Sequence, residues 1–411
     1  MDRFIKKKFL IFSIFFCSLL FSLYFKENSS GGARIDFEIT RSFIESFSHG
    51  FLAGIKHLIQ TGFLHFPTHY FLVYYFEKIF GDTLTQILYV ILSALLPLIF
   101  YTILKKKFKS GDKSYLFLIS SIIFLSPYFR SSSAWITSDN IALIFFCLSI
   151  SKYLSAHNDK KIFTNFSMCF FLLAIASYLR PYYAIFAILF FFEAYKKILF
   201  RKFIMLVNLN LLLAVPALIY LYIFTINNTL NHEAVRPELF KNFFFFLSIS
   251  AFYFIPIFLN NNFIEKSLFF YRTKKKIIFI LIIVFIFFSF FNYSDNLSHV
   301  LGGGVIYKIC KYFNFSLIYY IICFLSLLII YQLISFNKKN LIIVFCVFFA
   351  FPFTIIYQKY YDPLIWIIMF SLIEYSFINE IILKKKFSVR FAYVYFIFFL
   401  VSANIYYFKN L

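Results

Sequence analysis

The chain alternates apolar stretches of about 20 residues, the length a helix needs to cross a hydrocarbon core, with short clusters of lysine and arginine. The clusters include Lys6-Lys7-Lys8, Lys105-Lys106-Lys107, Lys160-Lys161, Lys196-Lys197, Lys274-Lys275-Lys276, Lys338-Lys339 and Lys384-Lys385-Lys386. Connections rich in Lys and Arg mark the cytoplasmic side of a membrane protein. All of these clusters fall on one side if the chain crosses about thirteen times, and a miscount by one span would put half of them on the wrong face. The expectation is an all-α polytopic membrane protein forming a single domain over residues 1–411.

Composition excludes the competing classes. Hydrophobic residues make up 62% of the chain and charged residues 14%, with a mean hydropathy of +0.82, whereas soluble domains are about a quarter charged. The excess of 40 Lys+Arg over 18 Asp+Glu could point to nucleic acid. No basic groove or base-stacking module accompanies it, and topology accounts for the charge, so nucleic acid is excluded as a partner. The six cysteines mostly lie inside apolar runs and form no C-x-x-C pair, which reads as small buried hydrophobes. The first segment, Phe9 to Tyr24, lacks a small-residue cleavage site after it and reads as an uncleaved anchor.

With the N-terminus inside, residues 26–82 form the first outer loop. Ile39 to Ile59 reads as an amphipathic helix along the membrane surface, with Arg41 and Glu45 spaced i,i+4. His65 to Phe80 reads as a second interfacial helix ending at Gly81. The expected spans are 9–24, 83–104, 114–129, 141–154, 163–178, 184–195, 203–226, 243–259, 277–291, 316–336, 341–357, 364–381 and 391–407. Polar residues then collect on the outer face: Asp36 and Glu38, His65 and His69, Asp139, Arg180, the loop with His232, Glu233, Arg236 and Glu238, and Lys359 to Asp362. Ionisable groups near a bilayer tend to be functional or paired. Carboxylates and cations on one face can bind an anion and move a proton. Gly302 to Gly304 reads as a flexible outer loop, since nothing beside it resembles a nucleotide-binding turn. Glu193 and Glu374 are expected to pair locally.

Four stretches carry a resemblance: Arg34-Ile35-Asp36-Phe37-Glu38-Ile39-Thr40-Arg41, His65-Phe66-Pro67-Thr68-His69-Tyr70 with Ile79-Phe80-Gly81, Thr137-Ser138-Asp139-Asn140, and Tyr178-Leu179-Arg180-Pro181. Their order resembles the GT-C superfamily of glycosyltransferases that use polyprenyl-phosphate sugars. Lys359-Tyr360-Tyr361-Asp362-Pro363 is similar to a late R-Y-L-x-P element of such enzymes. The resemblance covers the first ~200 residues and is topological beyond them.

It implies a sugar passed from a polyprenyl-phosphate donor to a glycolipid, polysaccharide or protein acceptor, with inversion at the anomeric carbon. It implies Asp36 as catalytic base, and Glu38, His65, His69, Asp139, Arg180, Lys359 and Tyr360 as substrate contacts, with Arg180 first and Lys359 second for the phosphate. Relatives often carry two adjacent acids in the first loop, whereas Phe37 separates Asp36 from Glu38. Those two carboxylates act together only if the backbone there is extended. No cofactor is implied with certainty; a divalent cation is left open, and no metal ligand set is complete. An O-antigen-type polymerase and a lipid-linked oligosaccharide flippase are the rival readings. Against the first, the first outer loop is the large one. Against the second, the middles of the spans are nearly free of charge.

Overall fold

The computed structural model describes residues 2–29, 32–62, 65–156, 161–227, 239–259, 281, 302–351, 353 and 355–408. Every regular element among them is helical. In chain order these are α1 (Asp2–Tyr24), α2 (Ala33–Ser46), α3 (Phe51–Gln60), α4 (Thr68–Phe80), α5 (Asp82–Ser93), α6 (Leu95–Lys107), α7 (Lys113–Ser121), α8 (Pro127–Ala134), α9 (Ser138–Ala156) and α10 (Ile162–Leu179). There follow α11 (Ala187–Tyr195), α12 (Phe200–Asn227), α13 (Leu239–Phe258), α14 (Gly304–Tyr312), α15 (Ser316–Phe336), α16 (Lys338–Phe349), α17 (Leu364–Ser371), α18 (Ser376–Leu383) and α19 (Val389–Phe408). The chain divides into two compact units, Met1–Asn231 with Tyr393–Leu411, and His232–Ala392.

Among the described residues seven helices are long and apolar enough to cross a membrane, and up to eight if the bent pair α17–α18 is one span. This is compatible with a multi-pass integral membrane protein in a lipid bilayer. The seven cover the expected spans 83–104, 141–154, 163–178, 203–226, 243–259, 316–336 and 391–407. The count of thirteen is not confirmed: 9–24 and 184–195 lie in shorter apolar helices, Lys8–Tyr24 and Pro181–Tyr195, and local chemistry interrupts others. The stretch 114–129 is interrupted because Ser126 caps a new helix through Phe129 N–H with Pro127 at its first position, and such a pair starts a helix rather than continuing one. The stretch 364–381 bends by 86°. The helix beginning 341–357 stops at Phe349, and 277–291 lies outside the described residues apart from 281.

In the first unit the expected surface helix Ile39 to Ile59 is two helices. A 3-10 turn, Phe47–His49, precedes Gly50, whose φ of 110° is open to glycine and costly for other residues. The break folds α3 back on α2, and Phe43, Phe47 and Leu58 meet Tyr70 and Val73 of α4 in one buried cluster. Full burial of such a side chain is worth about 1.5–3 kcal/mol, which fixes these short helices where propensity alone would not. Arg41 ties the group electrostatically, with Glu45 at 3.0 Å, Glu77 of α4 at 2.7 Å and Asp82 of α5 at 3.6 Å.

The second unit corrects the reading of Gly302 to Gly304 as flexible. Gly303 N–H donates to the Ile356 carbonyl at 2.8 Å, the Gly303 carbonyl accepts from the Ser248 hydroxyl at 3.3 Å, and the Gln358 side chain accepts from Val305 N–H at 2.8 Å. A Cβ on Gly303 would fall 2.2 Å from the Tyr307 ring, so the triplet is close packing. Local pairing is found for Glu193, with Lys196 at 3.4 Å and Tyr153 at 3.3 Å, and for Glu374, with Lys339 at 2.6 Å. Five of the six cysteines are buried thiols.

Candidate functional site

Helices α9 and α10 pack along each other, so the start of α9 meets the end of α10. Asp139 lies in the first turn of α9, where the helix dipole favours a carboxylate. Arg180 ends α10 in an extended conformation, as a residue before proline prefers. Arg180 Nη2 donates to Asp139 Oδ2 at 2.6 Å, and the Tyr182 hydroxyl donates to Oδ1 at 3.2 Å. The side chains remain 24% and 33% exposed. The guanidinium is therefore only partly committed, and its Nε–H is buried with no partner. Burial works to lower the Arg180 pKa, but Asp139 above all, then Tyr182 and Tyr70, outweigh it and hold it above its ordinary value.

The first turn of α4 faces this pair. His69 is buried, and its Nε2 lies 2.9 Å from the Ile136 carbonyl. A carbonyl only accepts, so Nε2 carries the hydrogen and Nδ1 keeps its lone pair. Burial, and then the Arg180 charge, push the His69 pKa down to about 4; the Ile136 carbonyl and Asp139 offset only part of this. The ring is neutral at pH 7. Tyr70 hydroxyl and His65 Nδ1 are 2.8 Å apart. Burial raises the Tyr70 pKa, the Asp139 and Asp36 carboxylates add to the rise and Arg180 opposes it, so the hydroxyl keeps its proton and donates. His65 is held in turn by its carbonyl, which accepts from the Tyr220 hydroxyl of α12 at 2.7 Å.

The connector from α8 to α9 carries strain. Ile136 has φ 48°, unusual for a β-branched residue and costing on the order of 1–3 kcal/mol. Its side chain is buried in the Phe43–Tyr70–Tyr89 cluster. Its carbonyl is pinned by His69 and the next one by the Tyr89 hydroxyl. These contacts over-determine the connector and so set where α9, and Asp139 with it, begins.

Asp36 and Glu38 do not act together. Both lie in α2, and Asp36 N–H donates to the Gly32 carbonyl at 2.8 Å. Two helical positions apart is about 200° around the axis. The extended backbone that joint action requires is absent because Ala33 to Ser46 is already helical. Glu38 pairs with Arg34 at 2.8 Å, with side chains 58% and 50% exposed. Asp36 is half-buried and acts on the Tyr70 hydroxyl.

His65, His69, Asp139, Arg180 and Asp36 are thus gathered in the first unit. Lys359 and Tyr360 belong to the second, in a 3-10 turn, Gln358–Tyr360. The Lys359 ammonium lies 5.4 Å from the Tyr357 ring centre, and Tyr360 stacks on Phe351 at 5.2 Å. His232, Glu233, Arg236 and Glu238 lie outside the described residues. Among the described residues no three His, Cys, Asp or Glu side chains converge as metal ligands.

Two contacts of the site, and one buried ion pair outside it, were not singled out from sequence. Tyr182 follows Arg180-Pro181 directly, and that turn was the available signal. The Ile136 carbonyl had none, since any residue offers one. The Glu27–Arg130 pair, 2.8 Å apart with both side chains 9% exposed, had only the cost of charge beside apolar runs to suggest it. Comparison with family models, curated proteins and solved structures yields no match to this chain.

Proposed function

We propose that the protein is a membrane-embedded glycosyltransferase of GT-C type, transferring a sugar from a polyprenyl-phosphate carrier to a glycolipid, polysaccharide or protein acceptor on the non-cytoplasmic face. The observation that carries the reading is the half-committed Arg180 guanidinium: one N–H goes to Asp139, Nε–H is buried without a partner, and the group is a quarter exposed. An unsatisfied buried donor on a permanent cation suits a phosphate oxygen.

In this reaction the acceptor oxygen attacks the anomeric carbon as the bond from that carbon to the phosphate oxygen breaks, and the carrier phosphate leaves with the electron pair. Asp36 takes the acceptor proton. Arg180 balances charge developing on the departing phosphate. Asp139 and Tyr182 hold Arg180 in place, while His69 Nδ1 accepts a hydrogen bond from a sugar hydroxyl. The side follows from the basic clusters, and the carrier from the side, because nucleotide sugars are cytoplasmic. Attack and departure on opposite faces of the sugar give inversion.

The test is reconstituted protein in liposomes with labelled polyprenyl-phosphate sugars and a glycolipid acceptor pool. Wild type should transfer the label, and Asp36→Asn should lose about 100-fold or more, the scale of a general base. Equal transfer by both would clear Asp36 and move the base to Asp139. Activity with a nucleotide sugar alone would overturn the donor. Movement of the carrier between leaflets without transfer would make the protein a flippase.

A further inference from the structure

A second polar place in the first unit has no role in that reaction. A cavity of about 430 Å³ is lined by Phe21 and Phe25 at the end of α1, by Lys26, Glu27 and Asn28 beyond it, and by Arg130, Asn404 and Tyr407. Clefts of a few hundred Å³ are the size of small-ligand sites. The Glu27 and Arg130 charges cancel. Arg130 is consumed by Glu27 and by the Ser18 hydroxyl and carbonyl, and Glu27 also accepts from Ser29 at 2.7 Å and Asn404 at 3.3 Å. The charge left in the lining is that of Lys26, which is exposed, and among the described residues no carboxylate pairs with it.

The backbone at Lys26 is the independent observation. Helix α1 ends with Lys26 N–H donating to the Leu23 carbonyl at 3.1 Å and Glu27 N–H to the Ser22 carbonyl at 2.9 Å. These two bonds form a Schellman cap, which puts Lys26 at the left-handed position, with φ 49°. Glycine is the usual residue there, and a side chain costs stability. A lysine held in an unfavourable conformation at the mouth of a cavity is a pattern of functional sites. Phe21 and Phe25, 63% and 72% exposed, stand beside it at the end of an apolar helix, where aromatic rings meet the headgroup level of a bilayer.

We infer that this cavity is a seat for the anionic headgroup of a phosphate-bearing lipid. Its phosphate pairs with Lys26, hydrogen-bonding groups of the headgroup reach the Asn28 and Asn404 amides, and its chains lie against Phe21 and Phe25. The seat is linked to the Arg180 site: Trp135 Nε1 donates to the Glu27 carbonyl at 2.9 Å, and the next residue, Ile136, is the one His69 holds. The inference does not depend on the transferase reading.

The experiment is native mass spectrometry of the intact, detergent-purified chain titrated with phosphatidic acid, with phosphatidylcholine, and with inorganic phosphate as competitor. One phosphatidic acid should bind saturably, at least tenfold more tightly than phosphatidylcholine. K26G should weaken it roughly tenfold or more, the scale of a lost charge pair, and K26R should retain it. K26G removes the backbone strain, so the variant unfolds no more readily than wild type and misfolding cannot account for the loss. Equal binding by K26G, no preference over phosphatidylcholine, or non-saturating uptake would overturn the inference. Displacement by millimolar inorganic phosphate would assign the seat to free phosphate and overturn the lipid.

Discussion

Acidification tests the His69 environment most directly. An ordinary histidine titrates near 6.5, and burial with the Arg180 charge lowers His69 to about 4. Above 6.5 the ring is neutral whether the chain is folded or unfolded, and His69 contributes nothing to the pH dependence. As the pH falls below 6.5 the unfolded chain binds a proton that the folded one refuses, so stability is lost until the folded ring titrates too. Linkage between 6.5 and 4 gives a loss of about 2 kcal/mol by pH 5 and about 3 kcal/mol by pH 4. The reference is His69→Gln, which keeps an N–H for the Ile136 carbonyl and does not titrate. Trp135, next to Ile136, is the reporter once Trp366→Phe removes the second of the two tryptophans. Denaturant titrations followed by its fluorescence at pH 7.5, 5 and 4 should show the wild-type background falling by those amounts relative to His69→Gln. Parallel losses in the two proteins would refute the neutral buried imidazole and the contact that fixes its tautomer.

Arg180→Lys keeps the charge and loses the fork, and should reduce transfer from a polyprenyl-phosphate donor about tenfold; Arg180→Gln should reduce it about 100-fold or more in the same liposome assay. Tyr182→Phe removes one hydrogen bond to Asp139, worth about 1 kcal/mol, and should lower the turnover number severalfold with little change in KM. Arg130→Met leaves the Glu27 carboxylate buried without its main partner and should destabilise the chain by about 3–5 kcal/mol, most of it regained by adding Glu27→Gln. Lys26→Gly should raise stability by about 1 kcal/mol in thermal melts, since it places glycine at a left-handed cap.

Spans could be read from the sequence where one physical effect dominates. A run such as Phe203 to Ile226 has no charge and only two asparagines, Asn208 and Asn210, in its length, and a helix long enough to cross a membrane is its plain solution. The failures lie where short-range chemistry competes with hydropathy. Ser126-Pro127 restarts a helix inside an apolar run, and Gly50 folds a continuous amphipathic pattern in two. For the site, the residue types and their clustering in the first part of the chain were readable, and their partners were not. Arg180 and Asp139 are 41 positions apart, and only the packing of α9 on α10 joins them. Asp36 and Glu38 look alike in the sequence; the helical start at Ala33 separates them, one toward Tyr70 and one toward Arg34. His69 finds its partner on a backbone carbonyl, which no side-chain pattern announces.

Helix α12 carries a consequence for the surrounding bilayer. Its uncharged stretch, residues 203–226, extends about 36 Å, against a hydrocarbon core of about 30 Å. Little of its surface is covered by the rest of the chain. A helix that outmeasures its bilayer leans, and the lean changes with acyl-chain length. Near its C-terminal end Tyr220 grips the His65 carbonyl, and in its middle the Leu213 carbonyl accepts from Tyr178 at 2.6 Å. In a thicker membrane α12 is expected to stand more upright, and because His65 hangs on Tyr220, the surroundings of Arg180 are expected to respond to acyl-chain length, which activity in liposomes of graded thickness would report.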